Sequence, residues 1–344
     1  MLYSGVLMVS TTIKKYKKAA NMIFDEQITR KPDNYPWTQE FIEAMHTGFW
    51  TDKEFNFQSD IQDFRVNLST QEQEIITRAL STIGQLEISV KKFWAKLGDN
   101  LPHPSLNDMG YVMANTEVIH GDAYERLLEV LGIENSFDEI LKLDIIKGRV
   151  NYLRKHLHKF HNDNKKQFIY SLILFTLFVE NIALFSQFYT IGFFGRYKNL
   201  LKDTNKQVEY TSREENLHAI IGIKIINTIK QEYPELFDDE LKNKVLHEAR
   251  DAVKYECQII EWIVNGYDHE KLNSDLLKEF IKNRMNDSLK QIGYDGIFET
   301  NQDIIAQTTW FDEQILGNNM TDFFHSRPVE YAKSAQSFDV TDLF

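Results

Sequence analysis

The chain has 344 residues, of which 42% are hydrophobic and 26% charged, with a formal net charge of −12 at pH 7. A surface of that sign lacks the basic footprint that phosphate binding needs, which excludes nucleic acid as a partner. The single cysteine, Cys257, excludes an intramolecular disulfide, a cysteine-based zinc site and dithiol redox chemistry. In chain order, the N-terminal stretch MLYSGVLMVS carries a short apolar run with no basic residue before it, so it makes a poor signal peptide and a cytoplasmic protein is expected. Residues 1–33 read as an N-terminal extension. The basic clusters KKYKK (14–18) and RKHLHKFHNDNKK (154–166) read as solvated helix faces or loops. Strand-like alternation is hard to find, glycine is scarce, and no proline occurs between Ser105 and Tyr233. Long uninterrupted helices suit that pattern, and they are expected near 71–98, 106–131, 139–159, 166–197, 206–231, 237–265 and 273–293, giving an all-α fold.

The fourth of these helices poses a problem in charge. The run SLILFTLFVENIALFSQFYTIGFFG, from Ser171 to Gly195, is long enough to span a bilayer, yet Glu180 and Asn181 stand at its centre. A mid-membrane carboxylate is costly, no second comparable segment exists, and the flanks are charged, so no membrane is expected. A helix apolar on all sides is instead one surrounded by other helices. A buried Glu180 then requires a cationic partner, a raised pKa or a metal.

The spacing Glu-x-x-His, which puts a carboxylate and an imidazole on one helix face, occurs three times: EAMH (43–46), EVIH (117–120) and ENLH (215–218). A ferritin-like four-helix metal site asks for Glu-x-x-His from two helices and one carboxylate from each of two more. Glu87 lies on a mostly apolar helix 30 residues before Glu117, and Glu180 lies 35 residues before Glu215. The two halves thus repeat one plan, whereas EAMH has no such partner and His46 reads as a decoy. The ligand set is therefore Glu87, Glu117, His120, Glu180, Glu215 and His218. Four carboxylates and two imidazoles, without thiolate, suit two bridged first-row metals, Fe or Mn in preference to Zn. Tyr124 stands seven residues beyond Glu117 and about 6 Å along the helix axis from His120. Spacing alone fits two readings of it, a phenol beside the metals and a core tyrosine that donates a hydrogen bond.

With these residues in place, the sequence resembles the small, radical-generating (β) subunit of class I ribonucleotide reductase, from about Asn34 to Phe344. The resemblance implies a ferritin-like helical bundle with additional helices over residues 34–320 and a flexible tail over 321–344. It implies that the two metal ions activate oxygen and leave a tyrosyl radical on Tyr124, in a dry wall to which Leu184 and Phe188 could contribute. Fe/Fe is the default pair, with Mn/Fe and Mn/Mn behind it. The same resemblance places Trp50 and Tyr331 on a radical-transfer route to the large (α) subunit, which reduces ribonucleotides to deoxyribonucleotides. It assigns the closing SFDVTDLF to docking on that subunit, and it implies a homodimer. Two positions depart from the family's common pattern. Glu214 replaces the usual Asp that links a metal-bound histidine to the tryptophan, and Met113 stands where many members carry a tryptophan. The alternatives are a di-iron oxygenase, desaturase or ligand-binding oxidase of the same fold and, further off, an iron-storage protein, neither of which needs the tail.

Overall fold

The structure is a computed structural model that describes residues 21–140, 142–157 and 164–316, excepting the side chains of 87–91, 137–138, 150 and 152–157. Among the described residues every regular element is helical, apart from an isolated bridge between His269 and Leu272. The principal helices are α1 (Trp37–Thr47), α2 (Thr70–Ala95), α3 (Pro104–Leu131), α4 (Asp144–Leu157), α5 (Lys165–Leu174), α6 (Phe185–Lys198), α7 (Lys202–Glu232), α8 (Asp239–Val264), α9 (Ser274–Gln291) and α10 (Thr309–Leu316).

Their boundaries follow local chemistry. Ser69 begins α2 with a capping box: its hydroxyl accepts from the Glu72 N–H at 3.3 Å, and the Glu72 carboxylate accepts from the Ser69 N–H at 2.9 Å. Pro104 occupies the first turn of α3, where its missing N–H costs nothing, and Gly132 closes that helix in the left-handed region at φ 74°. At the start of α7 the buried Asp60 accepts from the Thr204 N–H at 2.6 Å.

Two departures from the expected helices matter. The RKPDNYPW stretch leads straight into α1, which periodicity had not singled out, and Pro36 sits at its N-cap. The expected single helix over 166–197 is divided. Between α5 and α6, residues Phe175–Ala183 adopt a π-helix, with Glu180 inside it. Such π segments insert an extra residue per turn and rotate the side chains that follow.

Helix α2 packs on α3, α3 on α7, α7 on the π segment and α6, and α6 back on α2, closing a four-helix bundle; α8 and α9 cover the outer side of the π segment. The Lys165–Lys198 stretch is the one helical run among the described residues long and apolar enough to cross a membrane, and 94% of its most apolar portion is buried inside the protein. It is the bundle's central helix. Where α7 crosses the π segment, Gly222 allows the close approach, because a Cβ there would overlap the Thr176 side chain. Gly222 and Thr176 each lie one turn from a candidate ligand, His218 and Glu180 respectively.

Candidate metal centre

Helix α3 carries Glu117 and His120, the π segment carries Glu180, and α7 carries Glu215 and His218; all five side chains are fully buried. Glu117, Glu180, Glu215 and His218 each offer a ligand atom, and these atoms lie within 4.8 Å of one another. The His218 Nδ1 stands 2.8 Å from Glu117 Oε1, 3.6 Å from Glu215 Oε2 and 3.8 Å from Glu180 Oε2. The His120 Nδ1 stands 2.8 Å from Glu215 Oε1 and 3.4 Å from Glu117 Oε2. Glu117 and Glu215 therefore each reach both imidazoles with separate oxygens, the disposition of bridging carboxylates. Glu180 attends the His218 side alone. Glu87 falls on α2, but its side chain lies outside those described.

These donors converge without satisfying one another. Both oxygens of Glu117, both of Glu215, Oε2 of Glu180 and both ring nitrogens of His218 are buried without a partner in hydrogen-bond geometry. Three carboxylates so placed in a dry interior are tolerable only with compensating positive charge. The protein's own electrostatics show the strain. Burial, reinforced by the Glu215 and Glu117 carboxylates, pushes the Glu180 carboxyl well above its usual range. Burial opposes a charge on His218, but the adjacent Glu117 carboxylate outweighs it and raises that imidazole well above its ordinary value. Burial would raise Glu215 too, yet Glu180, His120 and His218 hold it below the normal carboxylate range. Buried oxygens and imidazole nitrogens that converge without partners, and no thiolate among them, make a donor set that fits a dimetal site.

The surroundings fix the orientation of His120. Its Nε2 meets Glu214 Oε2 at 2.7 Å, and the same oxygen accepts from Trp50 Nε1 at 2.8 Å. The Trp50 ring is buried and lies over His120 with centroids 6.1 Å apart. The longer Glu214 thus makes both contacts, and with Nε2 engaged, Nδ1 faces the carboxylates. Tyr124 is buried on the same helix, a turn beyond His120, and Leu184 and Phe188 are buried as well. His46 and Glu43 are exposed on α1, away from the cluster. Tyr331 and the 321–344 tail lie outside the described residues.

Three partners of the central helix were not read from the sequence. Trp94 on α2 donates Nε1–H to Glu180 Oε1 at 2.8 Å, and its ring lies 6.2 Å from that of His218. It stands seven residues after Glu87, on the same face of α2, and that spacing was a usable signal. Met113, by contrast, is an ordinary buried residue. Arg284 donates to the Asn181 carbonyl at 3.1 Å and to the Asn181 side-chain oxygen at 2.5 Å. Arg149 donates to the Ala183 carbonyl. Nothing in the periodicity of α4 or α9 marks these two arginines as inward-facing.

Comparison with known proteins agrees with this geometry. The family described as "Ribonucleotide reductase, small chain" matches residues 27–304. The chain is 24% identical over 313 residues to the ribonucleoside-diphosphate reductase subunit beta of Treponema pallidum, covering 89% of this chain and 88% of the relative. Among solved structures it is similar to the ribonucleotide reductase R2 subunit from Clostridium botulinum, with a TM-score of 0.74 and 20% identity over 82% of this chain and 88% of that one. It is also similar to an R2-like ligand-binding oxidase with a Mn/Fe cofactor, with a TM-score of 0.61 and 20% identity over 76% of this chain and 93% of that one.

Proposed function

We propose that this chain, which belongs to the ribonucleotide reductase small-chain family and is the small subunit of a ribonucleoside-diphosphate reductase, stores an oxidising equivalent on Tyr124 beside two metal ions. The ions would be held by Glu87, Glu117, His120, Glu180, Glu215 and His218. Glu117 and Glu215, which each reach both imidazoles, could serve either ion, and Glu180 would act beside His218. Fe/Fe is the pair we assign, with Mn/Fe and Mn/Mn the alternatives that the same donors accept. When bound, the metals supply the oxidising equivalent by reacting with oxygen.

The remaining work belongs to side chains. Tyr124 gives up one electron and its phenolic proton and is left as a neutral phenoxyl radical, which Leu184 and Phe188 keep from water and reductants. Trp50, joined to His120 through Glu214, passes the equivalent toward the surface. Tyr331 in the tail carries it on to the large subunit, and SFDVTDLF docks there. Nucleotide binding and reducing thiols reside on that partner, which accounts for a chain with one cysteine. Residues 34–320 form the metal-binding domain, 1–33 an extension and 321–344 the tail; the working unit is a cytoplasmic homodimer joined to the large subunit.

The observation that carries this reading is the continuous contact Trp50–Glu214–His120 leading into a buried, charge-deficient carboxylate cluster. The likeness to a ligand-binding oxidase sets the second reading, an oxidase on the same scaffold, which has no need of a tail or a Trp50 relay. Electron paramagnetic resonance of metal-loaded, oxygen-exposed protein separates the two. A persistent tyrosyl signal lost in Tyr124→Phe, together with nucleotide reduction when the large subunit is added, supports the reductase. Full reductase activity in Tyr124→Phe refutes the radical assignment.

A further inference from the structure

The π segment that carries Glu180 is gripped at its C-terminal end by two arginines from different helices. On one side Arg284 of α9 takes both the carbonyl and the side-chain oxygen of Asn181, lies 3.7 Å over the Phe185 ring, and pairs with Asp312 of α10 at 3.0 Å. On the other side Arg149 of α4, 2% exposed, donates to the carbonyl of Ala183, with Glu256 of α8 at 3.3 Å from its Nε. Asn181 also donates to Ser288 at 2.5 Å, one turn along α9 from Arg284. A helix that changes from π to α register has carbonyls at the junction that its own ladder serves poorly. Guanidinium groups, with several donors in a planar fork, are suited to taking them. A buried arginine is itself costly, and here each has an acidic side chain beside it, Glu256 at Arg149 and Asp312 at Arg284.

We propose that Arg149 and Arg284 form a clamp that holds residues 175–183 in the π register and so sets where Glu180 presents its carboxylate. The inference rests on Glu180 being a metal ligand, as proposed above. Both arginines are positioning residues: they touch the backbone one and three residues beyond Glu180, not the ligand cluster. Without them the segment has a ready alternative, relaxation to a continuous α-helix, which would rotate Glu180 away from His218. The Asp312 pair adds a link from the clamp to α10, the last described helix before the tail; the Asp312 side chain is 42% exposed, so its contribution is modest.

The test uses the full-length chain with Arg284→Leu, Arg284→Lys and the pair Arg149→Met with Glu256→Gln, the second change removing the carboxylate that would otherwise be stranded. Hydrogen exchange followed by peptide and Mn(II) binding followed by electron paramagnetic resonance are measured side by side. The clamp requires exchange over residues 181–190 to rise about tenfold in Arg284→Leu and in the pair, with the cores of α3 and α8 unchanged. It also requires one of the two Mn(II) ions to bind about tenfold more weakly, and Arg284→Lys to recover part of both effects. Unchanged exchange at 181–190 in folded variants overturns the clamp. So does a uniform rise in exchange across all helices with a lowered melting temperature, which marks a merely structural role. If Arg284→Leu does not fold, Arg284→Lys and the Arg149/Glu256 pair carry the same comparison. Failure of the unmodified chain to bind Mn(II) overturns the metal assignment instead, while the exchange arm still decides whether the clamp exists.

Discussion

Glu214 is one of the two positions at which the sequence departs from the common pattern of the family it resembles, and its geometry allows a quantitative expectation for Glu214→Gln. One carboxylate oxygen receives both Trp50 Nε1 at 2.8 Å and His120 Nε2 at 2.7 Å, and Glu214 is 7% exposed. Glutamine can present its amide oxygen at the same point, so neither donor is stranded and the fold is retained. What is lost is the difference between a charge-assisted and a neutral acceptor, about 1 kcal/mol for each bond and so about 2 kcal/mol in all. That corresponds to a melting temperature lowered by roughly 3 °C in a chain of this size. Radical storage should survive, because Tyr124 is untouched and His120 keeps an acceptor at Nε2. Nucleotide reduction should fall by at least about tenfold, since the neutral amide weakens the hydrogen-bonded link that orients His120 and Trp50. Glu214→Asp gives the contrasting case. Its shorter side chain cannot reach both donors without backbone movement, so one contact lengthens. Thermal melts, the tyrosyl signal and turnover with the large subunit are measured on the same preparations. A Glu214→Gln protein with unaltered melting temperature and wild-type turnover refutes the shared-oxygen link as a working part of the molecule.

The other expectations concern groups around the central helix. Trp94→Phe keeps an aromatic ring against Phe93 and Phe175 but removes the donor to Glu180 Oε1; one metal ion should bind about tenfold more weakly, and an unchanged Mn(II) isotherm sinks this assignment. Glu256, buried beside Arg149, has its carboxyl pushed up to about 7 from an ordinary 4.5, chiefly by burial. The folded protein therefore holds this proton more tightly than the unfolded chain, so the contribution is complete below about pH 4.5, is lost as pH rises through 7, and amounts to about 3 kcal/mol. In Glu256→Gln the fall in stability between pH 5 and about 7.5 should be shallower than in the unmodified chain, and superimposable denaturation profiles would show that Glu256 does not titrate there.

The all-α architecture was legible because helix periodicity persists over many turns in α2, α3, α7 and α8, and the members of the carboxylate–imidazole cluster because the Glu-x-x-His spacing recurs with a carboxylate helix before each copy. Both signals are local to one helix. The structure brings Glu117, His120, Glu180, Glu215 and His218 together as that spacing implied. What escaped the sequence is what depends on contacts between helices. Trp94, Arg149 and Arg284 acquire their partners 86, 34 and 103 residues away in sequence. The π register escaped for a related reason: an extra residue in a turn leaves an apolar run apolar, and no period distinguishes it when every face is buried.

The adjacent pair Glu180 and Asn181 shows how the two kinds of information meet. Consecutive helical residues point in different directions around the axis, so two polar side chains side by side in an apolar helix meet different neighbours. Glu180 faces Trp94 and the ligand cluster, whereas Asn181 faces Ser288 and Arg284 on α9. The carboxylate therefore points among other carboxylates and imidazoles, while the amide beside it is engaged with hydroxyl and guanidinium. Replacing Asn181 by Leu would suit the apolar run better by composition, yet it would take one acceptor from Arg284 and the amide donor from Ser288, whose hydroxyl would keep only its bond to the Arg284 carbonyl. That asymmetry gives Asn181 a reason to be present that owes nothing to metal: it ties the segment bearing Glu180 to the helix that covers it, so Glu180 is held from the side opposite to the cluster it faces.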